Sequence, residues 1–136
     1  MKILIADDEK LVRIGLESML EELLPGRAEY LHAANAFQAM ALLEEHGAPE
    51  LAFVDHKMPR MTGLELIESC AGQYTGTRWM LMSGYDMAQY SPRIARCGIE
   101  CVLPKPVSTE ELAALLSIAL PGSAATTSVL GFQFAT

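Results

Sequence analysis

Five short apolar runs alternate along the chain with segments of helical periodicity, and this alternation restricts the fold more than any other feature. The runs are Lys2 to Asp7 (KILIAD), Tyr30 to Ala34, Leu51 to Val54, Arg78 to Ser83 and Ile99 to Leu103. Each is too short for a buried helix and suits a strand. Between the first two runs, Leu11, Val12, Ile14, Leu16, Met19, Leu20, Leu23 and Leu24 recur every three or four residues, predicting a helix from Glu9 to Leu24 with one apolar stripe, stopped by Pro25-Gly26. A second helix runs from Phe37 to near Gly47, and a third begins at Thr62-Gly63-Leu64 and passes through Leu66, Ile67 and Cys70. The fourth opens near Gly84-Tyr85-Asp86, is interrupted early by Pro92 and closes at Gly98; the fifth, Glu110 to Leu120, follows the capping run Ser108-Thr109-Glu110-Glu111. Strands alternating with helices imply a doubly wound α/β fold, with a parallel sheet, right-handed crossovers and helices on both faces.

The 136 residues suffice for one such domain and its core. It is expected over residues 1–120. Pro121 to Ser128 (PGSAATTS) has linker composition, whereas Val129 to Phe134 (VLGFQF) is too apolar for a free polar tail. Residues 121–136 therefore read as a linker-like tail with an apolar end that docks on its own domain or a partner, or leads to a missing domain. Ten basic residues against seventeen acidic give a net charge of -7, which disfavours direct contact with a nucleic-acid backbone. No apolar run reaches the roughly 18 residues a membrane span requires, and acids follow Ile3-Leu4-Ile5-Ala6 at once, so neither a membrane segment nor a signal peptide is expected. The expected location is the cytoplasm. Cys70, Cys97 and Cys101 have no paired CxxC spacing and read as reduced, partly buried thiols.

In an open α/β sheet, ligands gather outside the carboxyl ends of the strands. The run LAFVDHKMPRMTG, Leu51 to Gly63, ends its apolar part on Asp55 and passes into a Pro- and Gly-bearing loop. Asp55 is the candidate reaction centre, against the plainer reading of a turn aspartate before Pro59. Asp7, Asp8, Ser83 and Lys105 likewise fall at or just after strand ends. Each has a local explanation: Asp7-Asp8-Glu9 as a helix cap, Ser83 as a turn serine, Lys105 as a solvated charge. All five at one sheet edge point to assembled chemistry instead. Converging carboxylates repel unless a cation joins them, and an all-oxygen set suits Mg²⁺. With a lysine opposite, such a site can neutralise a transferring phosphoryl group, with Asp55 as nucleophile forming an acyl phosphate and Ser83 donating to a phosphoryl oxygen.

The ordered set Asp7-Asp8, the VDxxMPxMxGLEL run from Val54 to Leu66, Ser83-Gly84 and Lys105-Pro106 resembles the receiver domain of two-component response regulators, over about residues 1–120. The resemblance implies a flavodoxin-like sheet in 2-1-3-4-5 order. It further implies Asp55 as phosphoacceptor, Asp8 as a direct Mg²⁺ ligand with Asp7 acting mainly through water, and Lys57 offering only its backbone carbonyl to the metal. Ser83 takes the place of the switch hydroxyl, Lys105 that of its phosphoryl ion-pair partner, and the Lys105-Pro106 bond is cis. A sensor histidine kinase is the implied donor, and the only catalysis is the domain's own acceptance and loss of phosphate. The implied output is a partner protein or an output domain met through helix four, strand five and helix five, a face that also supports homodimers in this family.

The sequence departs from the family at Val102, where an aromatic residue usually sits three positions before the lysine. The aromatic half of the switch is missing, and Ser83 is expected to shift without much movement of strand five. Lys57 and Tyr85 flank the expected path of attacking water and tune the lifetime of the phosphoaspartate. His56, beside the acceptor, has a side chain that in an extended strand end points away from Asp55. Two other functions are compatible with the residues. One is a receiver-fold interaction module that uses no phosphorylation, which Val102 and the VLGFQF tail favour. The other is an Mg²⁺-dependent phosphatase of small phosphoesters, against which Lys57 stands as a poor general acid two residues beyond the nucleophile. DDEKLVRIGL and SGYD are most similar to receivers attached to DNA-binding output domains, but the chain has no helix-turn-helix or basic segment of its own.

Overall fold

A computed structural model describes residues 1–120 and 133–134. The elements are β1 (Lys2–Ala6), α1 (Lys10–Leu23), β2 (Glu29–Ala33), α2 (Ala36–His46), β3 (Leu51–Asp55), α3 (Gly63–Cys70), β4 (Arg78–Ser83), a single 3-10 turn (Ala88–Tyr90), α4 (Ser91–Arg96), β5 (Cys101–Pro104), α5 (Thr109–Ala119) and β6 (Gln133–Phe134). The first five strands are parallel, in the order β2-β1-β3-β4-β5. This is the expected doubly wound, flavodoxin-like sheet.

Alternation along the strands divides the interior into two layers. Leu4, Ala6, Ala52, Val54, Trp79 and Leu81 face α2, α3 and α4 through Ala39, Leu43, Leu64, Ile67 and Ile94. Ile3, Ile5, Phe53, Met80, Met82 and Leu103 face α1 and α5 through Leu16, Leu20, Leu112, Leu115 and Leu116. Every residue of β3 is buried, because the strand is central and covered on both faces. At roughly 1.5–3 kcal/mol for each large side chain removed from water, these layers dominate the folding energy. They hold the strand ends that carry Asp7, Asp55, Ser83 and Lys105 at one edge.

The differences from expectation lie at the margins. On α1, Leu11 is 82% exposed and Ile14 48%, while Leu16 and Leu20 are buried, so the apolar positions cover more than the core-facing stripe. No helix opens at Gly84 to Asp86; the chain first makes its 3-10 turn, whose Ala88 N–H donates to Asp86 Oδ1 at 2.9 Å. Pro92 does not interrupt α4 but occupies its first turn, where a missing N–H leaves no bond unmade. A sixth strand joins the edge: Gln133 and Phe134 pair antiparallel with Val102 and Cys101. Thus the end of the VLGFQF segment lies against the domain itself, while the linker-like run Pro121 to Ser128 lies outside the described residues.

Candidate functional site

Asp7 extends β1 by one residue, its N–H donating to Ala33 O at 3.0 Å. Its side chain is fully buried, and Oδ1 accepts the Glu9 N–H at 2.8 Å, turning the chain into α1. The Arg13 guanidinium donates to the Asp7 carbonyl at 2.7 Å and fastens the first turn of α1 to the same residue. Asp8, the next residue, is exposed. Asp55 closes β3 at 3% exposure, and Ser83 closes β4 at 4%. Lys105 follows β5; its N–H donates to Ser83 O at 2.8 Å, and the Lys105-Pro106 bond is cis, as the resemblance implied.

The Lys105 ammonium lies 2.9 Å from Asp7 Oδ2 and 3.4 Å from Asp55 Oδ2. One carboxylate oxygen from each of Asp7, Asp8 and Asp55 falls within a span of 4.8 Å. Three carboxylates therefore gather where one ammonium contacts two of them, Asp7 and Asp55. Burial and then the Asp7 charge push the Asp55 carboxyl up to about 6, although Lys105 and the Lys57 backbone pull the other way. Burial pulls Lys105 down, but its bond to Asp7 and the charges of Asp55 and Asp7 outweigh that and leave it above its ordinary value. The negative charge is thus under-compensated by the protein alone. A hard divalent cation that takes oxygen ligands fits this set, and Mg²⁺ is such a cation.

The loop after Asp55 is tightly built. His56 N–H donates to Met82 O, and Gly63 N–H donates to His56 O, both at 2.9 Å. This draws the start of α3 onto the end of β3, and a Cβ at Gly63 would overlap the Asp55 carbonyl. Thr62 caps α3 reciprocally with Glu65: the Thr62 Oγ1 accepts the Glu65 N–H at 3.1 Å, while Glu65 Oε1 accepts the Thr62 N–H at 2.9 Å. Lys57 is exposed beside the acid cluster.

Ser83 Oγ does not face an open site alone. It donates to Tyr85 O at 2.9 Å and accepts from Tyr85 N–H at 3.2 Å, clasping the turn that leads to α4. On the α4 side, the His56 ring is 4% exposed and packs edge-on against Tyr85, centroids 6.0 Å apart, and tilted against Tyr90 at 5.5 Å. His56 Nδ1 is buried without a hydrogen-bond partner. Burial, then the Arg93 charge, pulls its pKa below the ordinary value, against an opposing effect of Glu65. Arg93 lies 5.7 Å from the Tyr90 ring centre and makes two bonds to Glu68 on α3, at 2.8 and 2.6 Å. Val102 is half-buried against the same α4-side layer.

All five strand-end residues singled out in the sequence thus meet at one edge. Sequence reasoning missed the Arg13 clamp on Asp7, the close approach at Gly63 and the burial of His56 between two tyrosines. Gly63 carried a usable signal, since a glycine opening a helix eight residues after a reactive acid suggests backbone contact. The other two depend on packing between distant segments.

The family model of the response regulator receiver domain matches residues 3–117. Among curated relatives, the chain is 29% identical over 111 residues to an uncharacterized transcriptional regulatory protein, YesN, of Bacillus subtilis, covering 82% of this chain and 30% of that protein. It is 28% identical over 119 residues to the transcriptional regulatory protein HptR of Staphylococcus aureus, covering 85% and 44%. The chain thus spans less than half the length of these relatives. Among solved structures, it is similar to a CheY-like receiver domain protein from Methanospirillum hungatei, with 28% identity, a TM-score of 0.76, and coverage of 86% and 90%. The signal receiver domain of an HD domain-containing protein from Pseudomonas fluorescens matches with 27% identity, a TM-score of 0.76, and coverage of 88% and 85%. Both the matched span and the sheet that gathers its acids at one edge lead to the same conclusion: the chain belongs to the response regulator receiver domains.

Proposed function

We propose that Asp55 accepts a phosphoryl group from a sensor histidine kinase, with Mg²⁺ at the acid cluster, and that residues 1–120 form the receiver body whose partner-binding surface this transfer switches. The observation that carries the reading is the buried Asp55 carboxylate, set 3.4 Å from Lys105 among two further acids. Asp7, Asp8, Asp55 and the Lys57 backbone carbonyl would hold the cation. When bound, it neutralises charge on the transferring group.

The chain's own residues account for the rest. One Asp55 oxygen attacks phosphorus while the bond from phosphorus to the donor nitrogen breaks, and the electron pair of that bond leaves with the nitrogen. Lys105 is already held at the site by Asp7 and balances the added charge as an ion-pair partner. Ser83 supplies its hydroxyl once it leaves Tyr85. In the loss of phosphate, water arriving past Lys57 and Tyr85 attacks phosphorus while the bond from phosphorus to the Asp55 oxygen breaks, releasing inorganic phosphate and returning the carboxylate. The domain thus turns over only its own phosphate.

A donor must reach this edge, and an apolar surface lies beside it. A cavity of about 410 Å³ lined by Val12, Leu16, Met19, Met82 and Pro106 reaches Lys105, and Leu11 and Ile14 are exposed elsewhere on α1. This surface supports docking of an amphipathic helix of the kinase. The names of YesN and HptR support an output in transcription, through an output domain or partner protein rather than by DNA contact from this acidic body. A homodimer through α4, β5 and α5 is a second form of output. No helix among the described residues is long and apolar enough to cross a membrane, and we place the receiver in the cytoplasm. Residues 121–136 serve as its linker-like tail.

The choice of donor tests this reading. Phosphoramidate, which carries the nitrogen-phosphorus bond of a phosphohistidine, should load the protein in Mg²⁺ and not in chelator. A phosphoester such as p-nitrophenyl phosphate should not be turned over. Sustained phosphoester hydrolysis would favour the phosphatase reading, and no loading of folded protein would favour the phosphorylation-independent module.

A further inference from the structure

Among the described residues, His56 is a buried polar side chain that phosphoryl transfer leaves unused, and its surroundings connect it to Ser83. Its Nδ1 is enclosed without a partner, whereas buried polar groups are almost always paired. Its ring rests on Tyr85 and Tyr90. Tyr85 in turn has both its backbone N–H and its carbonyl bonded to Ser83 Oγ. If Ser83 turns toward a phosphoryl group on Asp55, both Tyr85 backbone groups lose their partner together. A neutral imidazole nitrogen can pair with either, donating to the carbonyl or accepting from the N–H according to its tautomer.

We infer that His56 is a positioning residue of the switch, whose Nδ1 takes over the Tyr85 backbone when Ser83 releases it. The exchange pairs one of the two Tyr85 backbone groups that Ser83 gives up and satisfies the nitrogen that the unloaded state leaves empty. It re-seats Tyr85, and through the shared ring contact it moves Tyr90, over which Arg93 of α4 lies. Arg93 is tied to Glu68 on α3, so the movement reaches both helices on this face. The histidine and two tyrosines thus form the route from the acceptor to α4. Val102, a short aliphatic residue on the neighbouring strand, offers no ring to share that role.

The inference rests on Asp55 as acceptor, and one experiment separates the two. The full chain, labelled with ¹⁵N, is titrated with beryllofluoride in Mg²⁺ and followed by nuclear magnetic resonance. Movement of the Asp55 and Ser83 amides reports loading of the acceptor; their failure to move would overturn both the acceptor reading and this inference. Given loading, the His56 Nδ1 resonance is expected to shift as it gains a hydrogen bond, together with the amides of Ser91 and of Arg93 to Arg96. An unchanged Nδ1 resonance alongside moving Asp55 and Ser83 amides would overturn the inference alone. His56→Leu is expected to bind beryllofluoride about fivefold more weakly, the equivalent of one ordinary hydrogen bond, and to lose most of the α4 response. His56→Asn, which returns a hydrogen-bonding atom near the Nδ1 position, should restore both. A full α4 response in His56→Leu would contradict the inference, and if that variant does not fold, the wild-type imidazole resonance still decides.

Discussion

Replacing Asp55 with Asn should stabilise the metal-free protein at neutral pH, because the native fold holds this carboxylate against its electrostatic preference. The folded carboxyl is pushed from 3.8 to about 6, chiefly by burial and by Asp7. The native state thus binds this proton more tightly than the unfolded chain does. Stability from Asp55 is complete below the unfolded value and is lost as pH rises through the folded one. Two units or so at about 1.4 kcal/mol each make the ionised carboxylate cost up to ~3 kcal/mol at neutral pH, net of the attraction of Lys105. Asn approximates the protonated acid in shape and removes that cost. The assay is urea unfolding of wild type and Asp55→Asn in chelator, at about pH 7.5 and again near pH 4. At the higher pH the variant should be more stable by about 2–3 kcal/mol, or roughly 10 °C in melting temperature for a domain of this size. Near pH 4 the gap should close. Millimolar Mg²⁺ should narrow it at neutral pH by stabilising the wild type alone. A variant no more stable than wild type at neutral pH in chelator would refute the argument that the acid cluster is under-compensated.

Three further outcomes follow from the same geometry. Gly63→Ala forces a methyl group into the Asp55 carbonyl and should cost about 1–3 kcal/mol in urea unfolding while slowing phosphoryl loading; a neutral result would mean that α3 can move away from β3 freely. Lys105→Met removes the charge that holds the Asp55 carboxyl down, so a carboxyl-carbon titration should place it above its wild-type value of about 6, and an unchanged midpoint would dissociate the two residues. Tyr85, half exposed beside Ser83, is expected to hinder attacking water, so Tyr85→Ala should shorten the phosphoaspartate lifetime; an unchanged decay rate removes Tyr85 from that account.

The sheet was legible because local signals agree with the global fold. KILIAD and LAFVD are short, apolar and end on acids, and β4 runs from Arg78 to Ser83 as its sequence indicates. The meeting of Asp7, Asp55, Ser83 and Lys105 followed from the parallel topology, which places all carboxyl ends on one side. Where tertiary packing decides, the sequence was less informative. Pro92 reads equally as a helix breaker or as a first-turn residue, and only the preceding 3-10 turn selects the second. Leu11 and Ile14 satisfy the helical period yet face outward, because periodicity does not show how wide a stripe the core will cover. β6 has two residues, too few for a periodic signal, and exists through its pairing with β5. The alternation of β3 turned His56 away from Asp55, but no local pattern indicates that Tyr85 and Tyr90 would enclose it.

Phosphoryl transfer to Asp55 is tested most directly by the intact mass of wild type and Asp55→Asn after incubation with Mg²⁺ and acetyl phosphate, followed by reduction of the acyl phosphate and peptide mapping. One labile phosphate on the wild type, mapped to Asp55 and absent from the variant, is the predicted result. A folded, Mg²⁺-binding wild type that takes up no phosphate, or takes it up elsewhere than Asp55, would contradict it.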